Sequence, residues 1–117
     1  MAAPTAGDLE LLQGTLDLLI LKTLAWQPMH GYAVARWISD TTNDDLQIEE
    51  GALYTALHRM EKRGWLESEW GLSENNRRCK YYRLTAEGRK QFRAESSTWA
   101  AFSQAVATVL TATEAPA

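Results

Sequence analysis

The chain has 117 residues, 45% of them apolar and 23% charged, which suits one small globular domain and leaves too little material for two. That balance suggests neither a disordered nor a membrane class, and the most apolar run, Leu16 to Leu21, is far short of the roughly 20 residues that cross a bilayer. The net charge of −3 argues at first against a polyanionic partner.

The charges, however, are segregated. Residues 59–93 carry ten basic groups against five acidic, a local +5, while the remainder carries two against ten, a local −8. Phosphate attraction follows the local field, so a basic face on an acidic chain stays compatible with DNA. A single cysteine, Cys79, rules out an internal disulfide framework and suits a reducing, cytoplasmic compartment. With no second thiol to resolve it and no metal pattern around it, Cys79 reads as a bystander.

Residues 1–7 are small and include Pro4 and Gly7, the composition of a frayed terminus. From about Asp8 to Ala25 the spacing predicts a helix with two apolar stripes, Leu12, Leu16, Leu19 and Thr23 on one and Leu11, Leu18, Leu21 and Ala25 on the other. A helix apolar on most of its circumference must be buried on most of it. So small a chain cannot wrap it alone, which points to a second subunit over Leu12, Leu16 and Leu19. Pro28 and Gly31 mark a break, and a helix over Tyr32 to Ser39 follows with Val34 and Ile38 inward. Amides at its start can hold a phosphate, and Tyr32 is a candidate contact to a DNA backbone. Asp40 to Gln47 is a polar connector in which Leu46 opens a short strand toward Ile48.

A helix from Glu50 to Arg63 comes next. Leu53, Leu57 and Met60 follow the i, i+4, i+7 rule and face a core, leaving Tyr54, Thr55, His58, Arg59 and Lys62 on the other side. Glu49 and Glu50 complement the helix dipole, and Gly51 is expected where another backbone comes close. Gly64 is placed to end the helix in the left-handed conformation. Trp65 to Trp70 and Lys80 to Leu84 have strand composition, with a polar, turn-forming stretch from Gly71 to Cys79 between them, giving a hairpin with a long basic tip.

Thr85 is a good N-cap for a helix over Ala86 to Ala112. Phe92, Trp99 and Val106 recur there every seven residues, with Phe102 and Val109 three residues after the last two. This heptad seam is too narrow for a globular core face and calls for a partner helix. At about 1.5 Å per residue the helix would be about 40 Å long and overhang so small a domain. Residues 113–117 read as a loose tail. The whole order predicts a mainly α fold with a small β-hairpin: a winged helix-turn-helix domain over residues 8–85 and a dimerisation helix over 86–112.

Five segments then match a known family in order. Leu11-Leu12-Gln13-Gly14-Thr15-Leu16-Asp17-Leu18-Leu19-Ile20-Leu21, Met29-His30-Gly31-Tyr32, Leu53-Tyr54-Thr55-Ala56-Leu57-His58-Arg59-Met60-Glu61, Glu67-Ser68-Glu69-Trp70 and Arg77-Arg78-Cys79-Lys80-Tyr81-Tyr82-Arg83-Leu84-Thr85 closely resemble the PadR family of bacterial transcriptional regulators. The chain looks like the short-tailed subgroup with one C-terminal helix. The resemblance implies a homodimeric repressor on a roughly palindromic double-stranded DNA operator. It also implies release in some members by a small aromatic or drug-like effector near the dimer interface, where Trp99 is the candidate contact and plain packing its alternative. Two positions depart from the family: Tyr54 is followed by Thr55 where a proline is usual, and Ala52 replaces a hydroxyl residue.

On this reading Gly51, Tyr54, Thr55 and His58 enter the major groove, with Arg59 and Lys62 on the phosphates. Asn75 and Asn76 shape the hairpin tip, and Arg77, Arg78 and Lys80 touch phosphate or minor groove. The alternative is a winged helix that docks a protein and binds no DNA. An enzyme is the weakest reading: His30 and His58 have no partner at catalytic spacing, no nucleophile or phosphate-loop motif occurs, and no cofactor or metal set is called for.

Overall fold

The computed structural model describes residues 13–117. Four helices occur among them, α1 (Gln13–Leu24), α2 (Gly31–Thr41), α3 (Glu50–Lys62) and α4 (Ala86–Leu110), with three strands, β1 (Met29–His30), β2 (Leu66–Leu72) and β3 (Arg78–Leu84). The strands form one antiparallel sheet in the order β1-β3-β2. Leu11, Leu12 and the expected start of the first helix lie outside the described residues.

The core forms where the predicted apolar stripes meet. Val34 and Ile38 of α2, Leu53, Leu57 and Met60 of α3, and Ile20, Leu21 and Leu24 of α1 close over Leu66, Tyr82 and Leu84 of the sheet. Leu16 and Leu19 are half-buried and lean on this same core, so part of their apolar surface is already used within the chain. Thr23, fully buried, donates its hydroxyl to the Leu19 carbonyl at 2.7 Å, the usual way to hide a hydroxyl inside a helix bundle.

Gly64 ends α3 with φ +80°, as its position predicts. The turn it makes is clamped to the start of α4: Thr85 donates its amide to the Trp65 carbonyl at 3.0 Å and its hydroxyl to the Gly64 carbonyl, while capping Gly88. Gly88 is there because nothing larger fits, since a Cβ would lie 2.0 Å from the Trp65 carbonyl oxygen. The long helix therefore leaves the winged domain from a fixed point.

Three expectations are corrected. The segment around Leu46 is no strand: Asn43 and Asp44 are left-handed (φ 51° and 66°), and the Leu46 amide donates to the Thr42 hydroxyl, which removes it from any ladder. Leu46 and Ile48 instead pack on the core from a loop. Met29 and His30 form a strand on Tyr82 and Tyr81 of β3, too short to show an alternating pattern. The hairpin strands run two residues further at its tip end than their composition indicates, so Arg78 and Cys79 lie on β3 and not in a long loop. Phe92 is half-buried and packs against the chain's own core, so part of its apolar surface, like that of Leu16 and Leu19, is already used within the chain.

Beyond Phe92 the helix runs out into solvent. Trp99, Phe102, Val106, Val109 and Leu110 are 42%, 60%, 39%, 74% and 78% exposed, with the Trp99 and Phe102 rings 6.1 Å apart.

Candidate nucleic-acid interface

The outer face of α3 is set by what its inner face buries. With Leu53, Ala56, Leu57 and Met60 held in the core, the 3.6-residue period turns Tyr54, Thr55, His58 and Lys62 outward, and all four are exposed. Tyr54 is braced: its ring and hydroxyl lie so close to Gly31 that a Cβ there would be 2.9 Å from the ring edge. The Tyr54 side chain therefore ties α3 to the first turn of α2. Gly51 is exposed, and among the described residues a Cβ added there would meet only the Glu49 carboxylate, at 3.5 Å, so no close backbone contact among them requires a glycine at this position.

Arg59 is the exception on this helix. Its guanidinium turns to Asp17 of α1, which is 8% exposed, and the Arg59 side chain keeps only 26% exposure. A carboxylate buried among leucines is costly without a partner, and Arg59 is the partner in reach. The sequence placed Arg59 on the phosphates; the structure gives it to the joint between α1 and α3. Asp17 is the partner of Arg59 that sequence reasoning missed, and its signal was an acid set within the apolar run Leu16 to Leu21.

At the start of α2, His30 acts as the N-cap, its Nδ1 accepting the Ala33 amide at 3.1 Å. One of the amides expected to hold an anion is thus already used. Tyr32 stands beside it, 65% exposed, stacked 6.4 Å from the His30 ring and accepting a hydrogen bond from Arg36.

The wing is short and stiff. Ser73 and Arg77 close it, the Ser73 amide donating to the Arg77 carbonyl at 2.8 Å, with the Ser73 hydroxyl accepting the Arg77 amide. Asn76 supplies the left-handed residue (φ 62°) such a tip needs, and Asn75 is exposed beside it. Alternation places Leu66, Ser68, Trp70 and Leu72 on one face, opposite Leu84, Tyr82, Lys80 and Arg78. That face looks toward α3, because Ser68 and Lys80 both reach Glu61 on that helix, Lys80 at 3.5 Å. Burial first, then Glu61 and Tyr54, hold the Tyr82 phenol above the ordinary tyrosine range, so it stays neutral at physiological pH.

The predicted cations thus divide. Lys80 is tied to Glu61 at the wing's base, while Arg78 lies over the Trp70 ring at 4.6 Å. Among the described residues, Lys62, Arg77 and Arg78 have no carboxylate within ion-pair distance. Trp70 and Leu72, 59% and 63% exposed, were not singled out from sequence, although their shared parity with Arg78 and Lys80 could have flagged them. Among the described residues no group of acids, histidines or cysteine could hold a metal ion, and no helix is long and apolar enough to cross a membrane.

With this geometry in view, the comparisons with known proteins point to transcriptional regulators, and the family model and several solved structures to one family. The family model described as transcriptional regulator PadR-like family matches residues 20–94. A PadR family transcriptional regulator from Eggerthella lenta is 35% identical, covers 88% of each chain and superposes with a TM-score of 0.74. A transcriptional regulator from Clostridium thermocellum is 30% identical over 85% of this chain and 96% of its own, with a TM-score of 0.77. A PadR-like transcriptional regulator from Bacillus cereus is 25% identical over 88% of this chain and 98% of its own, with a TM-score of 0.76. The fold is a winged helix with a C-terminal helix, and the chain belongs to the PadR-like family of transcriptional regulators.

Proposed function

We propose that the chain is a homodimeric transcriptional repressor that binds a pseudo-palindromic operator, α3 in the major groove and the wing on its flank. The carrying observation is the set of exposed hydrogen-bonding side chains on α3, Tyr54, Thr55, His58 and Lys62, beside a wing whose tip cation, Arg77, is free of carboxylates among the described residues. Thr55 and His58 supply base-edge hydrogen bonds, Tyr54 and Tyr32 reach phosphate, and Lys62 and Arg77 supply backbone charge. Asn75 and Asn76 keep the tip narrow enough to enter a groove. Gly51, exposed in the first turn, leaves room for a phosphate to approach the helix.

Two copies are needed because one helix reads too few base pairs for useful specificity. The exposed stripe of Trp99, Phe102, Val106, Val109 and Leu110 supports pairing through α4, with Leu12, Leu16 and Leu19 of the first helix as the second surface. A small aromatic effector would lie along the same stripe, against Trp99.

A mobility shift on the DNA upstream of the chain's own gene, at physiological salt and with competitor DNA, tests the reading. A specific shift is expected, and Arg77→Ala should weaken binding to all sequences alike and lower the salt slope by about 1 per subunit. Absence of any shift would favour a winged helix that docks a protein.

A further inference from the structure

We propose that Trp70 and Arg78 form a preassembled reader of the DNA minor groove, which gives the regulator a preference for A·T-rich sequence flanking each half-site. This inference rests on the DNA-binding reading above and deepens it at Arg78, expected from sequence to touch phosphate or minor groove, by adding Trp70 as the residue that positions it. On the wing face turned toward α3, Lys80 is held by Glu61, and Arg78 is the next cation outward. Its guanidinium carbon sits 4.6 Å from the centre of the Trp70 ring, the diagonal neighbour across the two strands. Trp70 and Leu72 are 59% and 63% exposed on a stiff hairpin, so the patch combines two large apolar side chains with the Arg77 and Arg78 charges.

That combination selects its occupant. An exposed apolar patch rimmed by charge marks a contact surface. A neutral protein surface would strip water from Arg77 and Arg78 without giving them a counter-charge, which is costly. The minor groove meets both demands: its sugar edges are apolar and can pack on Trp70 and Leu72, while its floor and walls attract an inserted guanidinium. The attraction is strongest where the groove is narrow, as in A·T tracts, so a minor-groove arginine reads sequence through shape. Contact with the Trp70 ring restrains the guanidinium before DNA arrives, which reduces the rotamer freedom lost on binding. Arg77, at the tip, remains a backbone contact.

The test is selection from a pool of random-sequence duplexes, run in parallel with the unaltered full-length protein, Trp70→Ala, Arg78→Lys and Trp70→Phe. All four are first checked for the same helical content and thermal transition. The unaltered protein should enrich a two-fold symmetric core with A·T-rich flanks, and G·C replacement of those flanks should cost it about tenfold in affinity. Trp70→Ala and Arg78→Lys should enrich the same core with random flanks and lose that tenfold penalty, while Trp70→Phe, which keeps a ring for the guanidinium, should restore it. The proposal is overturned if the unaltered protein shows no flank preference, or if the variants keep it. It is overturned equally if Trp70→Ala changes the oligomeric state and leaves the flanks intact, which would make the patch a protein contact. Enrichment of no motif by any of the four proteins would instead defeat the DNA-binding reading beneath it.

Discussion

The winged domain and the outer half of α4 are built on opposite terms. In the former, Ile20, Leu21, Val34, Leu57 and Met60 are sealed from solvent by other parts of the same chain. In the latter, five large apolar residues in the twelve positions from Trp99 to Leu110 face water, on a helix that is otherwise well capped and regular. A closed core needs no partner, whereas an open heptad stripe is stable only when something covers it. The boundary falls between Phe92, which is half-buried against the domain core, and Trp99, which does not pack on it. On the proposed function, reading and pairing fall to separate stretches, joined at Thr85 and Gly88.

That contrast predicts a graded set of responses. Leu57→Ala, at the centre of the closed core, should cost about 4 kcal/mol of stability and abolish cooperative thermal unfolding near room temperature or shift it steeply down. Gly88→Ala should cost about 3 kcal/mol, because the Cβ meets the Trp65 carbonyl and the backbone cannot yield as a flexible side chain would. A fully stable Gly88→Ala protein would mean that α4 is not fixed to the domain at this point. Phe102→Asp combined with Val106→Asp should leave the helical content near native but give a monomer in sedimentation. It should also lower operator affinity about 100-fold.

Asp17→Asn should cost about 2 kcal/mol, measured by urea unfolding, since it leaves the Arg59 guanidinium poorly paired between α1 and α3. The smallest effect belongs to the exposed Glu67–Arg83 pair, 54% and 57% accessible at its side chains. Glu67→Gln there should change stability by less than about 0.5 kcal/mol.

The sequence carried most of this architecture through periodicity. The Leu53, Leu57, Met60 spacing located the inner face of α3 and so its outer face, and the seven-residue recurrence of Trp99 and Val106 identified the exposed stripe. Gly64 and Thr85 marked the ends of elements because their local chemistry is self-sufficient. What periodicity could not carry were contacts between distant segments. Arg59 and Asp17 are 42 positions apart, and nothing local to either shows that they meet. β1 escaped notice because two residues have no pattern, and Leu46 misled because an apolar residue in a polar stretch resembles a strand start until its amide is traced to Thr42. The Trp70–Arg78 stack is likewise a product of register, set by the short tip at Ser73 and Arg77.

The central claim, that two winged domains held by α4 read one symmetric site, is tested most directly by mapping the DNA protected by the purified protein. The account predicts two equivalent protected segments related by two-fold symmetry, their centres separated by about 10 base pairs or a multiple of that. A single asymmetric footprint, or none with a protein that sediments as a monomer, would contradict it.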